Sequence, residues 1–217
     1  MSNVINLTKM SFTNLKSVYK QIWFVWVIWI GIAIYNQFFL NILAGMSVLL
    51  TLYQVMAYED NNNIDYLIAY LPVKRNEYVL SRYLLGIVSV LLSTILICIV
   101  YFISTKINSS NIIKLEILLP TSITSALLSI SIVIPLVLKF GINKGRIFMT
   151  VIVMLVNTIP ASIVSEIINN PNITDTIMNI VNSFGMPLLT IIINVFILLI
   201  SIFISINLYK NKEVKEA

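Results

Sequence analysis

The chain is poor in side chains that could carry out chemistry. It contains no histidine and one cysteine, Cys98, among 217 residues. Zinc sites, disulfides and Ser-His or Cys-His nucleophile systems need residues that this inventory lacks. Only 11% of the residues are charged and 59% are hydrophobic, whereas a soluble domain has roughly 25% charged residues. These proportions predict a protein of the lipid bilayer, and the net charge of +5 does not indicate a nucleic-acid partner.

The long apolar segments contain no charged residue. Carriers driven by protons or ions, and intramembrane proteases, place ionisable groups within such segments, so both classes are disfavoured. Residues 141–146, Gly-Ile-Asn-Lys-Gly-Arg, lack the spacing and the Gly-Lys-Ser/Thr ending of a phosphate-binding loop. The sequence therefore predicts neither a self-powered carrier nor a motor with its own ATPase.

The charged residues concentrate in one loop, residues 59–82, which holds seven of them. Within it the spacing predicts a short helix, with Asn63 as its cap and Pro72 as its stop. Its apolar residues follow the positions i, i+3, i+4 and i+7: Ile64, Leu67, Ile68 and Leu71. A helix of two turns is unstable alone, so this face must dock, either on this chain's own helix ends or on a partner.

Uncharged windows define the elements around this loop, and a membrane span needs about 20 residues. The window between Lys20 and Glu59 is long enough for a hairpin of two spans, with its turn near Asn36-Gln37 and Asn41. We predict an all-α polytopic membrane protein in which residues 21–217 form six spans. Their predicted bounds are 21–39, 42–58, 83–104, 116–138, 147–165 and 187–208.

The distribution of basic residues tests this topology, since cytoplasmic loops are rich in Lys and Arg. Six spans with both termini inside place twelve of the 14 basic residues in the cytoplasm and leave only Lys106 and Lys114 outside. A single first span would give a split of 9 to 5. We therefore expect cytoplasmic termini.

Residues 1–20 predict an amphipathic helix in the inner membrane interface, with Lys9, Lys16 and Lys20 on one face. The alternative is a plain basic flank.

On the opposite side of the membrane, residues 173–184 predict an outer helix. It is either a gate over a translocation path or an ordinary interfacial helix. Its apolar stripe contains Ile173, Ile177, Ile180, Val181 and Phe184.

Polar groups inside the spans have two readings. The stretch from Thr121 to Ser131 is the most polar part of any span. It would either line a wettable path or bond neighbouring helices. Asn157 and Asn194 are candidates for buried contacts between helices, and Pro160 predicts a kink in the fifth span.

Residues 71–83, Leu-Pro-Val-Lys-Arg-Asn-Glu-Tyr-Val-Leu-Ser-Arg-Tyr, resemble a signature of small type-2 ABC exporter permeases. In that signature an LP-V-x-R motif precedes V-L-x-[KR]-Y. The layout is also similar: a basic N-terminal helix, a charged first cytoplasmic loop, a short second one at 139–146, and a helix before the last span.

The resemblance implies a contact with a separate ATP-binding cassette subunit. The coupling helix would comprise Asp65 to Leu71, including Tyr66, Leu67, Ile68 and Tyr70. Lys74, Arg75 and Glu77 would flank it and pair with charges of the partner. ATP and Mg would lie on that ATPase, and this chain would hold no metal or cofactor of its own.

The resemblance also implies two permease subunits, identical or paralogous, in a bacterial cytoplasmic membrane. The frequent isoleucine and asparagine are typical of AT-rich coding, hence of a low-GC Gram-positive bacterium. The expected cargo is amphipathic or hydrophobic, such as antimicrobial peptides or peptides of the phenol-soluble modulin kind. The alternative function is a non-transporting membrane immunity or assembly factor.

Overall fold

A computed structural model describes residues 2–36, 39–62, 64, 68, 70, 72–107, 115–169 and 186–210. These ranges are helical and contain no strand, which confirms the all-α prediction for them. The helices are α1 (Ser2–Tyr35), α2 (Phe39–Asn61), α3 (Arg75–Ile107), α4 (Leu115–Asn169) and α5 (Met186–Lys210).

Four segments in the described ranges are long and apolar enough to cross a membrane. They are Phe39–Asn61, Arg75–Ile107, Leu115–Ile142 and Thr190–Lys210, and they contain most of four predicted spans. The two arms of α1 together would make a fifth. The span predicted at 147–165 lies in the helical second part of α4. The count of six and the orientation of the termini remain predictions.

Helix α1 consists of two arms, Asn3–Val18 and Trp23–Tyr35, whose axes differ by 83°. In the first arm, Leu7 and Val18 are buried, whereas Lys9 and Lys16 are exposed. The bend lies beside residue 20, where the sequence predicts that the N-terminal helix ends. A helix turned almost perpendicular to the span that follows has the geometry an interfacial helix requires.

Helix α1 ends at Tyr35 and α2 begins at Phe39, so the chain leaves α1 beside Asn36, as predicted, whereas the turn does not reach Asn41. Phe39 N–H donates to the Asn36 carbonyl at 3.0 Å, and α2 begins at Phe39. Asn41 instead lies buried within α2, where its Oδ1 accepts a hydrogen bond from Thr121 Oγ1 at 3.0 Å. The partner of the amide oxygen thus lies in α4, while Nδ2 is buried without a hydrogen-bond partner among the described residues.

Hydrogen bonds from serine hydroxyls to backbone carbonyls join α4 to α2 and α5. Ser125 Oγ donates to the Asn41 carbonyl of α2 at 2.9 Å, and Ser201 Oγ of α5 donates to the Ser131 carbonyl at 2.7 Å. Buried Ser129 bonds its own helix. The polar stretch from Thr121 to Ser131 therefore joins helices, as the second of its two readings predicts.

Gly141 breaks α4 within the predicted second loop, 139–146. Its backbone has φ 68° and ψ 172°, a region essentially restricted to glycine. A Cβ at this position would meet nothing within 4 Å, so the constraint is conformational and not steric. The break separates the span that ends at Ile142 from the helical segment leading to Asn169.

We expect Gly141→Ala to lower the free energy of unfolding by about 1–3 kcal/mol, because alanine must adopt this strained conformation. The matched control is Gly31→Ala, since Gly31 is helical and its Cβ would also meet nothing within 4 Å. The control should be neutral or slightly stabilising. Thermal unfolding of detergent-purified protein measures both, and equal melting temperatures for the two variants would contradict the assignment.

Candidate functional site: a buried ion pair at the base of the 59–82 loop

The 59–82 loop begins and ends on two opposite charges. Glu59 lies in the last turn of α2, and Arg82 lies two turns into α3. Arg82 Nη1 is 2.8 Å from Glu59 Oε1 and 2.8 Å from Glu59 Oε2. The Arg82 side chain is fully buried and that of Glu59 is 3% exposed. The pair therefore joins the two helices from which the loop emerges.

The first arm of α1 completes this site. Ser11 Oγ donates to Glu59 Oε1 at 2.9 Å, and Asn14 Nδ2 donates to the same oxygen at 3.2 Å. Arg82 Nη1 also donates to Ser11 Oγ. We call Ser11, Asn14, Glu59 and Arg82 the ion-pair cluster. The ring of Tyr78 stacks on it, with its centroid 4.3 Å from Arg82 Cζ.

The geometry of the ion pair is incomplete. A guanidinium and a carboxylate bind most strongly through two parallel N–H···O bonds. Here Arg82 uses only Nη1, and its Nε and Nη2 are buried without a hydrogen-bond partner among the described residues. Such a pair is a weak source of stability, because much of its attraction is offset by desolvation. Its value lies in fixing where α1, α2 and α3 meet.

A second contact ties the first arm of α1 to the start of α3. Glu77 Oε2 accepts hydrogen bonds from the Lys74 backbone N–H at 3.0 Å and from Asn3 Nδ2 at 3.2 Å. The bond to Lys74 is the carboxylate half of a capping box. These bonds, that to Lys74 first, lower the pKa of Glu77. Their stabilisation is present above the ordinary pKa of the carboxyl group and fades as the pH falls through the lowered value.

Helix α5 is joined to the same end of α3. Arg75 Nη1 donates to the Lys210 carbonyl at 2.7 Å, where the carbonyls at the end of a helix lack partners within it. The rings of Tyr78 and Tyr209 lie 5.1 Å apart. Deeper in α3, the Tyr83 hydroxyl bonds Ser201 Oγ at 2.5 Å and Ser205 Oγ at 2.8 Å. The base of the loop thus contacts α1, α2 and α5.

Three described residues show how the loop helix is placed. Ile64, Ile68 and Tyr70 all have helical backbone. Ile68 is 6% exposed and belongs to the chain's own hydrophobic core, with Ile64 packed against that core. Tyr70 is 89% exposed. Two residues correspond to about 200° around a helix, so Tyr70 and Ile68 lie on opposite faces.

Comparison with known protein families assigns the chain to one of them. Residues 6–210 match the model of the family described as "ABC-2 family transporter protein". The chain belongs to that family. It is thus a membrane permease component of an ABC transporter, a class that works with a separate ATP-binding partner. Searches of curated proteins and of solved structures gave no significant match.

The structure places the predicted coupling residues of this permease unevenly. Lys74 and Arg75 are exposed, as is Tyr70, while Glu77 is half-buried and bonded within the chain. Asp65, Tyr66, Leu67 and Leu71 lie outside the described residues. So does the outer helix predicted at 173–184, with Ile173, Ile177, Val181 and Phe184. Within the described ranges, no three acidic, cysteine or histidine side chains gather to hold a metal.

The sequence did not predict the ion-pair cluster of this permease. In the sequence, Glu59 and Arg82 only marked the limits of the uncharged windows, at the two ends of one loop. One available signal was that Ser11 and Asn14 interrupt the apolar face of the N-terminal helix. Ser11 lies one turn after Leu7, which is buried. Polar residues within an otherwise apolar stripe indicate a buried polar partner.

Proposed function

We propose that this permease is the transmembrane subunit of an ATP-driven exporter, and that its 59–82 loop contacts the ATPase. The observation that carries this proposal is the contrast between Ile68, which is buried, and Tyr70, which is exposed, two described residues of the predicted loop helix. The face with Ile68 docks on the chain's own core, and the opposite face presents Tyr70 to the surroundings. The loop therefore has a fixed seat and a free aromatic surface, which is where we place the partner.

The contacts at the loop base provide a route for movement. ATP and Mg bind the ATPase, and closure of two ATPase subunits would pull the two loops toward each other. Because Glu59 lies in the last turn of α2 and its partner Arg82 lies in the first turns of α3, a displaced loop moves both helices. The Ser11 contact passes the displacement to α1, and the Tyr83 contacts pass it to α5.

We further propose that two permease subunits, identical or paralogous, form the path between them in a bacterial cytoplasmic membrane. The termini and the 59–82 loop face the cytoplasm. The predicted spans carry no charged side chain except Glu116, the first residue of the fourth, and the Glu59–Arg82 pair lies just outside the second and third. Such walls suit amphipathic or hydrophobic cargo, and we infer peptides, including antimicrobial and phenol-soluble modulin-like ones.

Co-purification tests the contact with the ATPase. The permease is co-expressed with an ATP-binding cassette subunit, and the double variant Leu67→Asp/Leu71→Asp should lose that subunit. The control Asn61→Asp/Asn62→Asp adds the same two charges to exposed positions of the loop and should retain it. A complex that survives the leucine changes would contradict the coupling assignment and favour a non-transporting membrane factor.

Labelling with membrane-impermeant reagents tests the topology. Single cysteines introduced at positions 62 and 108, in a Cys98→Ser background, should react from opposite sides of the membrane. The 62 position should be reached only after the cells are opened. Labelling of both positions from the same side would contradict the six-span arrangement.

A further inference from the structure

A cavity of about 340 Å³ lies inside a single permease chain. It is lined by residues of both arms of α1 together with α2 and α3. The side chains that define it are Phe12, Leu15, Trp26, Ile30, Val55 and Leu92. Ligand cavities begin at about 300 Å³, and a dry cavity of about 150 Å³ already holds benzene. This one is therefore large enough for a ligand.

The rim of the cavity is apolar. Trp23, Val27 and Leu92 form its rim and are about half exposed, and all three belong to apolar helices. Hydrocarbon is the solvent at such a surface. The hydrocarbon of an acyl chain matches such an apolar lining.

Among the described residues, the indole N–H of Trp26 in the wall has no hydrogen-bond partner. Trp26 Nε1 is buried, and no described residue accepts its hydrogen bond. The hydroxyls of Ser47, Thr51 and Ser89, which also line the cavity, each donate to a backbone carbonyl of their own helix. An indole N–H is only a donor, so the occupant should carry an acceptor beside its hydrocarbon. The ester carbonyl of a lipid has that arrangement.

The basic residues of α1 favour a lipid with an anionic headgroup. Helix α1 contains three lysines and no acidic residue. Lys16 follows the lining residue Leu15, and Lys20 precedes the rim residue Trp23 by three positions. Both lysines are exposed. Anionic headgroups are attracted to basic side chains at the membrane surface.

We propose that this cavity binds one acyl chain of an anionic diacyl phospholipid, with an ester carbonyl on Trp26 Nε1 and the headgroup beside Lys16 and Lys20. The lipid would fill the angle between the two arms of α1. It would thereby support the arm that carries Ser11 and Asn14 to the ion-pair cluster. The site lies within one chain, so it does not depend on the cargo proposed above.

Native mass spectrometry of the delipidated full-length permease tests the proposal, with dioleoyl phosphatidylglycerol and dioleoyl phosphatidylcholine as probes. The wild type should retain one phosphatidylglycerol per chain in preference to phosphatidylcholine. Ser89→Phe should fill the cavity and abolish retention. Trp26→Phe keeps the apolar surface but removes the donor, and should weaken binding about tenfold. Lys16→Gln/Lys20→Gln should remove the preference for phosphatidylglycerol.

The control is Leu199→Phe, which introduces the same side chain at an exposed position of α5 and should leave retention unchanged. Near-ultraviolet circular dichroism establishes that each variant is folded. Retention in Ser89→Phe equal to the wild type, or no lipid retained by folded wild type, would overturn the proposal. So would affinities of Trp26→Phe equal to the wild type for both probes. Displacement of the retained lipid by an amphipathic peptide, one for one, would also overturn it by assigning the cavity to cargo.

Discussion

Arg82→Ala is expected to lower the free energy of unfolding of the permease by about 3–5 kcal/mol, as the loss of one partner of a buried ion pair does. The change leaves the Glu59 carboxylate buried, with only Ser11 and Asn14 as donors among the described residues. Glu59→Gln should act in the same direction, because Arg82 then remains charged and fully buried. Thermal unfolding of detergent-purified protein, followed by tryptophan fluorescence, measures both changes.

The control for Arg82→Ala is Arg75→Ala, which removes an arginine from the same helix. Arg75 is exposed and donates to the Lys210 carbonyl, so its loss leaves no buried charge and should have a much smaller effect. If the two alanine variants melt at the same temperature, Arg82 is not the buried partner that the structure shows. Additive effects of Arg82→Ala and Glu59→Gln in the double variant would contradict the pairing as well.

An apolar replacement of both partners separates stability from movement. Arg82→Met/Glu59→Leu removes both charges at similar volume, and such replacements of buried pairs are often neutral or stabilising. The double variant should therefore melt near the wild type. If the ion-pair cluster passes loop movement to α1, cargo should no longer stimulate the ATPase, although the complex still assembles. Full stimulation in this variant would show that the pair is only a structural anchor.

The spans could be predicted because stretches without charged residues can be found from the order of residues along the chain. The windows free of charge coincide with most of α2, α3 and α5 because each crosses hydrocarbon at a fixed rise per residue. The turn near Asn36 was accessible for the same reason. The buried place of Asn41 was not, because its partner Thr121 is 80 residues away and lies on another helix.

The ion pair could not be predicted because it depends on angles between helices. Glu59 and Arg82 are 23 residues apart, at the ends of a loop whose residues read as solvated. Only the 83° bend of α1 brings Ser11 and Asn14 over them and excludes water. Similarly, the spacing of Ile64 and Ile68 predicted one apolar face but left its partner open. The burial of Ile68 shows that part of the face docks on this chain.

The second large effect is expected from a substitution of Tyr70, the exposed residue of the loop helix. Tyr70→Asp should weaken binding of the ATP-binding subunit by about 30-fold or more, since tyrosine is enriched among interface residues worth at least about 2 kcal/mol. Its side chain is 89% exposed, so the melting temperature of the isolated permease should not change. Tyr70→Phe, which keeps the ring, should bind nearly as the wild type. Titration of the purified subunit onto permease in nanodiscs measures the affinity.

Ile68→Asp supplies the opposite result within the same helix. It places a charge in the chain's own core, so the melting temperature should fall before any effect on the partner is considered. A loop that serves only as a structural cap would respond to Ile68→Asp and not to Tyr70→Asp. A loop that docks wholly on the ATPase would lose binding in both variants with no change in melting. Only the combination of lost binding for Tyr70→Asp and lost stability for Ile68→Asp fits a helix seated on one face and offered to a partner on the other.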